Sequence, residues 1–133
     1  MAIKSLKNYS TEIAEKEHSS DIMQNTNHQN VGLVWDFFNM WSVTKESPTY
    51  MYSQLNKYIV HTHIKDAMLT EKGETYTLLG EGNAPVREAL QALKKGGYTG
   101  YYSFEWEKLW HMEIAEPEIA FPQFRKTFDT LWK

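Results

Sequence analysis

The sequence contains no cysteine, which excludes disulfides and thiolate metal sites and is compatible with a reducing compartment. It has no apolar run approaching the ~18 residues of a membrane-spanning helix. Its N-terminal stretch is polar and lacks the apolar centre of a secretory signal. These absences predict a cytoplasmic protein with no membrane partner. An excess of positive charge is missing too. The formal net charge is −3, without the basic footprint that non-specific nucleic-acid binding requires. What the chain does have is aromatic residues: five Trp, eight Tyr and six Phe among 133 residues. That length supports one domain, residues 1–133, with a real core.

Strands and helices alternate along the chain. Ser10-Thr11-Glu12 reads as a helix start, but the helix it opens is weakly amphipathic, with Ile13, Ala14, Ile22 and Met23 as its only apolar residues. Val31–Asp36 is a continuous apolar run ending in an acid, the pattern of a strand covered on both faces. Phe37–Ser47 reads as an aromatic loop. Pro48 opens a short helix reaching Tyr58, and Ile59–His63 follows as a strand. Gly73 marks a turn, Tyr76–Leu79 a brief extended stretch, and Gly80–Asn83 a loop. Pro85 opens the clearest helix, with Val86, Ala89, Leu90 and Leu93 on one face, Lys94 and Lys95 in its last turn, and Gly96-Gly97 as its stop. Tyr101–Glu105 is another strand that ends in an acid. A last helix is expected from about Pro122, with Phe121, Phe124, Phe128, Leu131 and Trp132 as its apolar stripe. Strands alternating with helices imply an α/β fold with a parallel sheet.

The chemistry gathers at Val60–Asp66. His61, His63 and Lys65 alternate with Thr62 and Ile64. A strand sends alternate side chains to opposite faces, so two imidazoles and an ammonium share one face. A lone histidine is more often a hydrogen-bonded core residue than a ligand. Here Asp36, His63 and Glu105 each stand at or near a strand's C-terminal end. In a parallel sheet those ends share one edge, where α/β folds bind ligands. Two carboxylates and an imidazole suit a divalent ion such as Mn²⁺, Zn²⁺ or Co²⁺.

Several pieces together resemble the C-terminal part of the xylose-isomerase-like TIM barrels, the sugar phosphate isomerase/epimerase group. They are Val31-Gly32-Leu33-Val34-Trp35-Asp36, His61-Thr62-His63-Ile64-Lys65-Asp66, Gly80-Glu81-Gly82, Gly97-Tyr98-Thr99-Gly100 and Ser103-Phe104-Glu105-Trp106-Glu107. The resemblance implies a partial, half TIM barrel and a divalent metal (Mn, Zn, Co or Mg) held by Asp36, His63 and Glu105. It implies isomerase or epimerase chemistry on a sugar or sugar phosphate, with the ion polarising a ketose carbonyl and two carboxylates moving a proton through an enediolate. Glu105 is one of those two carboxylates. Lys65 is expected to meet a substrate oxygen. Asn39, His61, Trp35 and Glu81 are expected near the substrate, with Trp41, Trp106 and Trp110 as further stacking candidates.

The sequence departs from the family pattern in two ways. Lys4 stands near the position of the family's first glutamate, where its positive charge opposes metal binding and removes one proton carrier. The chain also has about half of the ~250 residues of a full barrel. A homodimer or a partner subunit is therefore expected to complete it. The competing readings are a non-catalytic or dimerising module that keeps the fold, and an apurinic endonuclease. The acidic balance of the chain and the small number of histidines near the site disfavour the endonuclease.

Overall fold

A computed structural model describes residues 2–4 and 16–133, with side chains from residue 19 onward. The elements are β1 (Ala2–Lys4), α1 (Lys16–Thr26), β2 (Gly32–Asp36), α2 (Phe37–Thr44), α3 (Pro48–Leu55), β3 (Ile59–Ile64), β4 (Asp66–Thr70), β5 (Gly73–Thr77), α4 (Val86–Lys95), β6 (Tyr102–Phe104) and α5 (Pro117–Leu131). A 3₁₀ turn, Asn56–Tyr58, joins α3 to β3. The expected start of the first helix at Ser10–Glu12, with Ile13 and Ala14, lies outside the described residues.

Four strands form one parallel sheet in the order β1-β2-β3-β6. Lys4 is level with Val34, Asp36 with His63, and His63 with Ser103. This is the half-barrel arrangement expected from the alternation of strands and helices. One sheet face packs against the helices. Leu33, Trp35 and Ile64 join Met51, Leu55, Leu90 and Leu93 in the core. Trp35 lies 5.6 Å from the Tyr52 ring of α3. The last helix covers β6 through aromatic rings, with Phe104 stacked on Phe124 at 4.4 Å and Tyr102 edge-on to Phe128 at 5.3 Å. Alternation leaves Val34, Asp36, His61, His63, Ser103 and Glu105 for the other face.

Three expectations are corrected. The aromatic segment after Asp36 is a helix, α2, not a loop. Its start signal is Asp36 itself, whose carboxylate accepts the Asn39 backbone N–H at 3.0 Å, and its stop is Lys45 in the left-handed region at φ 60°. The stretch from Asp66 to Thr77 is an antiparallel hairpin, β4 with β5, where only a turn and a brief extended piece were expected. The last helix starts at Pro117 rather than Pro122. Proline at the first helical position is favourable because that N–H has no intrahelical acceptor, and Pro122 lies inside the helix.

The loop after the hairpin is fastened to the sheet by Asp66, which is 2% exposed. Its Oδ1 accepts the Ala67 N–H at 2.9 Å, and its Oδ2 accepts those of Gly80 at 2.8 Å and Gly82 at 3.1 Å. A Cβ at Gly82 would collide with Asp66 and the Ala67 carbonyl, and Gly80 has φ +83°. Gly82 is thus required by the closeness of this approach and Gly80 by its backbone conformation.

Candidate metal centre

Each functional group stands where the parallel register puts it. Asp36 ends β2 and His63 is level with it on β3. Beyond β6, the Glu105 N–H donates to the Ile64 carbonyl at 3.0 Å. That bond continues the parallel pairing one step and brings Glu105 over the same edge. One ligand atom each from Asp36, His63 and Glu105 lie within 4.8 Å of one another.

Asp36 is fully buried. Its two oxygens accept from Asn39, Oδ1 from the backbone N–H and Oδ2 from the side-chain Nδ2 at 2.8 Å. Burial pushes its pKa up to about 6. Lys65 pulls it down, and a hydrogen bond with Glu105 adds to the rise. Asp36 therefore holds a proton more readily than an exposed carboxylate does. Glu105 Oε2 lies 3.3 Å from His63 Nδ1.

Lys65 is the centre of charge. It is 2% exposed, and its Nζ stands 3.3 Å from Asp36 Oδ2, 3.0 Å from Glu105 Oε2 and 3.0 Å from Glu107 Oε1. The ammonium also lies 5.7 Å from the Phe38 ring centroid and 5.4 Å from that of Tyr76. Burial works against its charge, but Asp36, Glu105, Tyr76 and Glu107 outweigh burial and hold its pKa above the ordinary lysine range. Burial raises the Tyr76 hydroxyl as well, with Lys65 acting in the opposite direction.

His61 stands one register step behind. Its Nε2 is 2.7 Å from Ser103 Oγ, and its ring meets His63 edge-on at 5.6 Å. Burial first, and His63 second, lower its pKa. Asn39 is 5% exposed and held against Asp36. Glu81 is exposed on the loop that Asp66 anchors and is not part of the cluster. Trp35 corrects an expectation: at 1% exposure it packs in the core against Phe37 and Tyr52, because strand alternation turns it to the face opposite Asp36, so it offers no ring to a ligand. Trp106 stacks on Phe104 and donates its indole N–H to the Ala115 carbonyl at 3.0 Å. Trp110 is exposed.

Two participants escaped the sequence reading, Glu107 and Tyr76. A signal for Glu107 existed. Extending the alternation of Ser103 and Glu105 by one step puts it on the same face. Tyr76 had none, since its place depends on the hairpin folding over the strand ends.

The donor set fits a divalent ion. Two carboxylates and one imidazole converge, without sulfur, which suits Mn²⁺, Zn²⁺, Co²⁺ or Mg²⁺. Residues 2–123 match the family described as xylose isomerase-like TIM barrel. No curated protein matches the sequence significantly. Among solved structures, the chain is similar to an L-ribulose 3-epimerase (TM-score 0.77, 16% identity, covering 98% of this chain and 46% of that one). It is similar to an IOLI protein with a bound zinc atom (TM-score 0.67, 25% identity, 90% and 44%). A third is a xylose isomerase-like TIM barrel protein from Mycobacterium smegmatis in complex with magnesium (TM-score 0.70, 17% identity, 98% and 43%). The chain spans less than half the length of these structures. Its four parallel strands, their register and the family match over nearly the whole sequence lead to one conclusion: the chain belongs to the xylose isomerase-like TIM barrel family.

Proposed function

We propose that this chain carries the metal-holding half of a sugar isomerase or epimerase site. One observation carries the reading: Asp36, His63 and Glu105 come from the ends of three adjacent parallel strands and bring ligand atoms within 4.8 Å of one another. These three residues would hold the ion. A divalent ion, when bound, supplies Lewis-acid polarisation of a substrate carbonyl.

The remaining work falls to the chain's own groups. Glu105 is partly open, with its side chain 20% exposed, and is the carboxylate placed to take and return a proton from a bound ketose. Lys65, 3.0 Å from Glu105 Oε2, holds that carboxylate in position. Asn39 orients Asp36 through both of its N–H donors. His61, steadied by Ser103, backs His63 from inside the sheet face. The second proton carrier would come from outside the described residues, since Lys4 occupies the β1 position. The substrate proposed is a small ketose or its phosphate, consistent with epimerase relatives such as the L-ribulose 3-epimerase.

A second copy or a partner subunit would supply the remaining strands. Among the described residues β1 and β6 each have one neighbour. Phe121 is half-exposed beside Phe104 of β6, 5.9 Å ring to ring. A non-catalytic module with the same fold remains the second reading, favoured by Lys4 at the β1 position.

The test is calorimetric titration of the chain with Mn²⁺ and Zn²⁺ beside His63→Ala and Glu105→Gln, followed by epimerase assays on ketohexoses. One site per chain, lost in both variants, is expected. Binding indifferent to both substitutions would overturn the metal reading and favour the non-catalytic one.

A further inference from the structure

The Lys65 ammonium already sits where a cation is wanted. Its Nζ touches Asp36 Oδ2 at 3.3 Å and Glu105 Oε2 at 3.0 Å. Glu105 Oε2 is also the atom 3.3 Å from His63 Nδ1, so the ammonium is seated on an oxygen shared with the imidazole donor. Lys65 stands two residues after His63, and its side chain is only 3% exposed. A divalent ion held by both carboxylates would bring two further positive charges beside a buried ammonium, and like charges repel strongly away from water. One other acceptor is within reach. Glu107 Oε1 lies 3.0 Å from the same Nζ, and its side chain is 24% exposed where that of Asp36 is 0%. An ammonium drawn towards Glu107 keeps a charged partner and vacates the carboxylate pair.

We propose that Lys65 is a built-in competitor for the candidate metal site: its ammonium occupies the Asp36–Glu105 pair when no metal is present, and an arriving divalent ion displaces it towards Glu107. This rests on the metal reading of Asp36, His63 and Glu105. The lysine then serves two ends. It neutralises two closely spaced carboxylates in the empty site, and it sets the threshold of metal concentration at which the site fills. Glu107 acts through Lys65, as a positioning residue that receives the displaced charge.

The experiment is Mn²⁺ titration by calorimetry on the parent chain, Lys65→Gln, Glu107→Gln and the double variant. Lys65→Gln is expected to bind Mn²⁺ about tenfold tighter or more, as the loss of a buried like charge requires. Glu107→Gln is expected to weaken binding several-fold in the parent and to have no effect once Lys65 is gone, the coupling that a double-mutant cycle isolates. A Lys65→Gln affinity equal to or weaker than the parent's overturns the proposal, because the lysine is then a scaffold for the carboxylates. An equal effect of Glu107→Gln in both backgrounds also overturns it, because Glu107 then acts on the ion directly. Should Lys65→Gln not fold, Glu107→Gln alone decides, and unchanged affinity rejects the proposal. If neither the parent nor Lys65→Gln binds Mn²⁺, it is the metal reading itself that fails.

Discussion

Replacing Asp66 tests how the strand end beside His63 is held. Its carboxylate takes three backbone N–H groups, one on Oδ1 and two on Oδ2, at 2% exposure. Asp66→Ala removes every acceptor and strands the amides of Ala67, Gly80 and Gly82. An unsatisfied buried donor costs about 1–3 kcal/mol. Gly80 and Gly82 can be partly rehydrated because their loop lies at the surface, so the sum is expected to be about 3–5 kcal/mol. Asp66→Asn is gentler. Its single oxygen can keep both glycine amides while its NH₂ faces Ala67, so one bond is lost, at about 1–2 kcal/mol. Urea denaturation followed by tryptophan fluorescence reads the series. The midpoint should fall in the order parent, Asn, Ala with the slope unchanged, since the surface exposed on unfolding is the same. Equal midpoints for the Asn and Ala variants, or an Ala variant within about 0.5 kcal/mol of the parent, would refute the anchoring argument.

Further outcomes follow from the structure. Asp36 has its pKa pushed up to about 6 by burial, and a carboxylate must lose its proton to take an ion. Mn²⁺ affinity by calorimetry should therefore climb as the pH rises from about 5 to about 7, and a flat profile would remove Asp36 from the ligand set. In the metal-free chain the linkage has the opposite sign. With the folded pKa raised, the stability Asp36 contributes is present below the ordinary carboxylate pKa and is lost as pH rises through about 6. Gly82→Ala should destabilise by about 2 kcal/mol or more, because its Cβ meets Asp66 and a backbone carbonyl that overpacking cannot move cheaply; a melting temperature within a degree of the parent's would contradict this. Trp35→Ala should cost about 3–5 kcal/mol as a core truncation while leaving Mn²⁺ affinity within about twofold, separating a packing role from a ligand role; a large affinity change with little loss of stability would reverse that assignment.

Much of this protein is legible in its sequence. Runs such as Val31–Asp36 and the alternation of His61, His63 and Lys65 report strand faces directly, because a strand's period of two is a local property of the chain. The Val86–Lys95 helix was equally plain, with its stripe, its terminal lysines and its glycine stop. Once the strands are parallel, residues at their C-terminal ends share an edge, so Asp36, His63 and Glu105 could be grouped from sequence alone.

The tertiary structure decided the rest. The α2 helix is hidden in Phe37–Thr44 because five of its eight residues are apolar or aromatic and about two turns are too few to show a period; only the capping by Asp36 reveals it. Trp35 looked like a ligand-facing ring beside Asp36, but neighbouring residues in a strand point to opposite faces, and burial against Tyr52 settled which. The charge balance at the site also lay beyond local reading. Lys65, Glu107 and Tyr76 come from β3's end, the segment after β6 and a hairpin, and only their folding together decides which carboxylates the ammonium meets. Sequence determines which groups are carried and on which face of an element they stand. Their distances, burial and shared protons depend on packing between elements far apart in the chain.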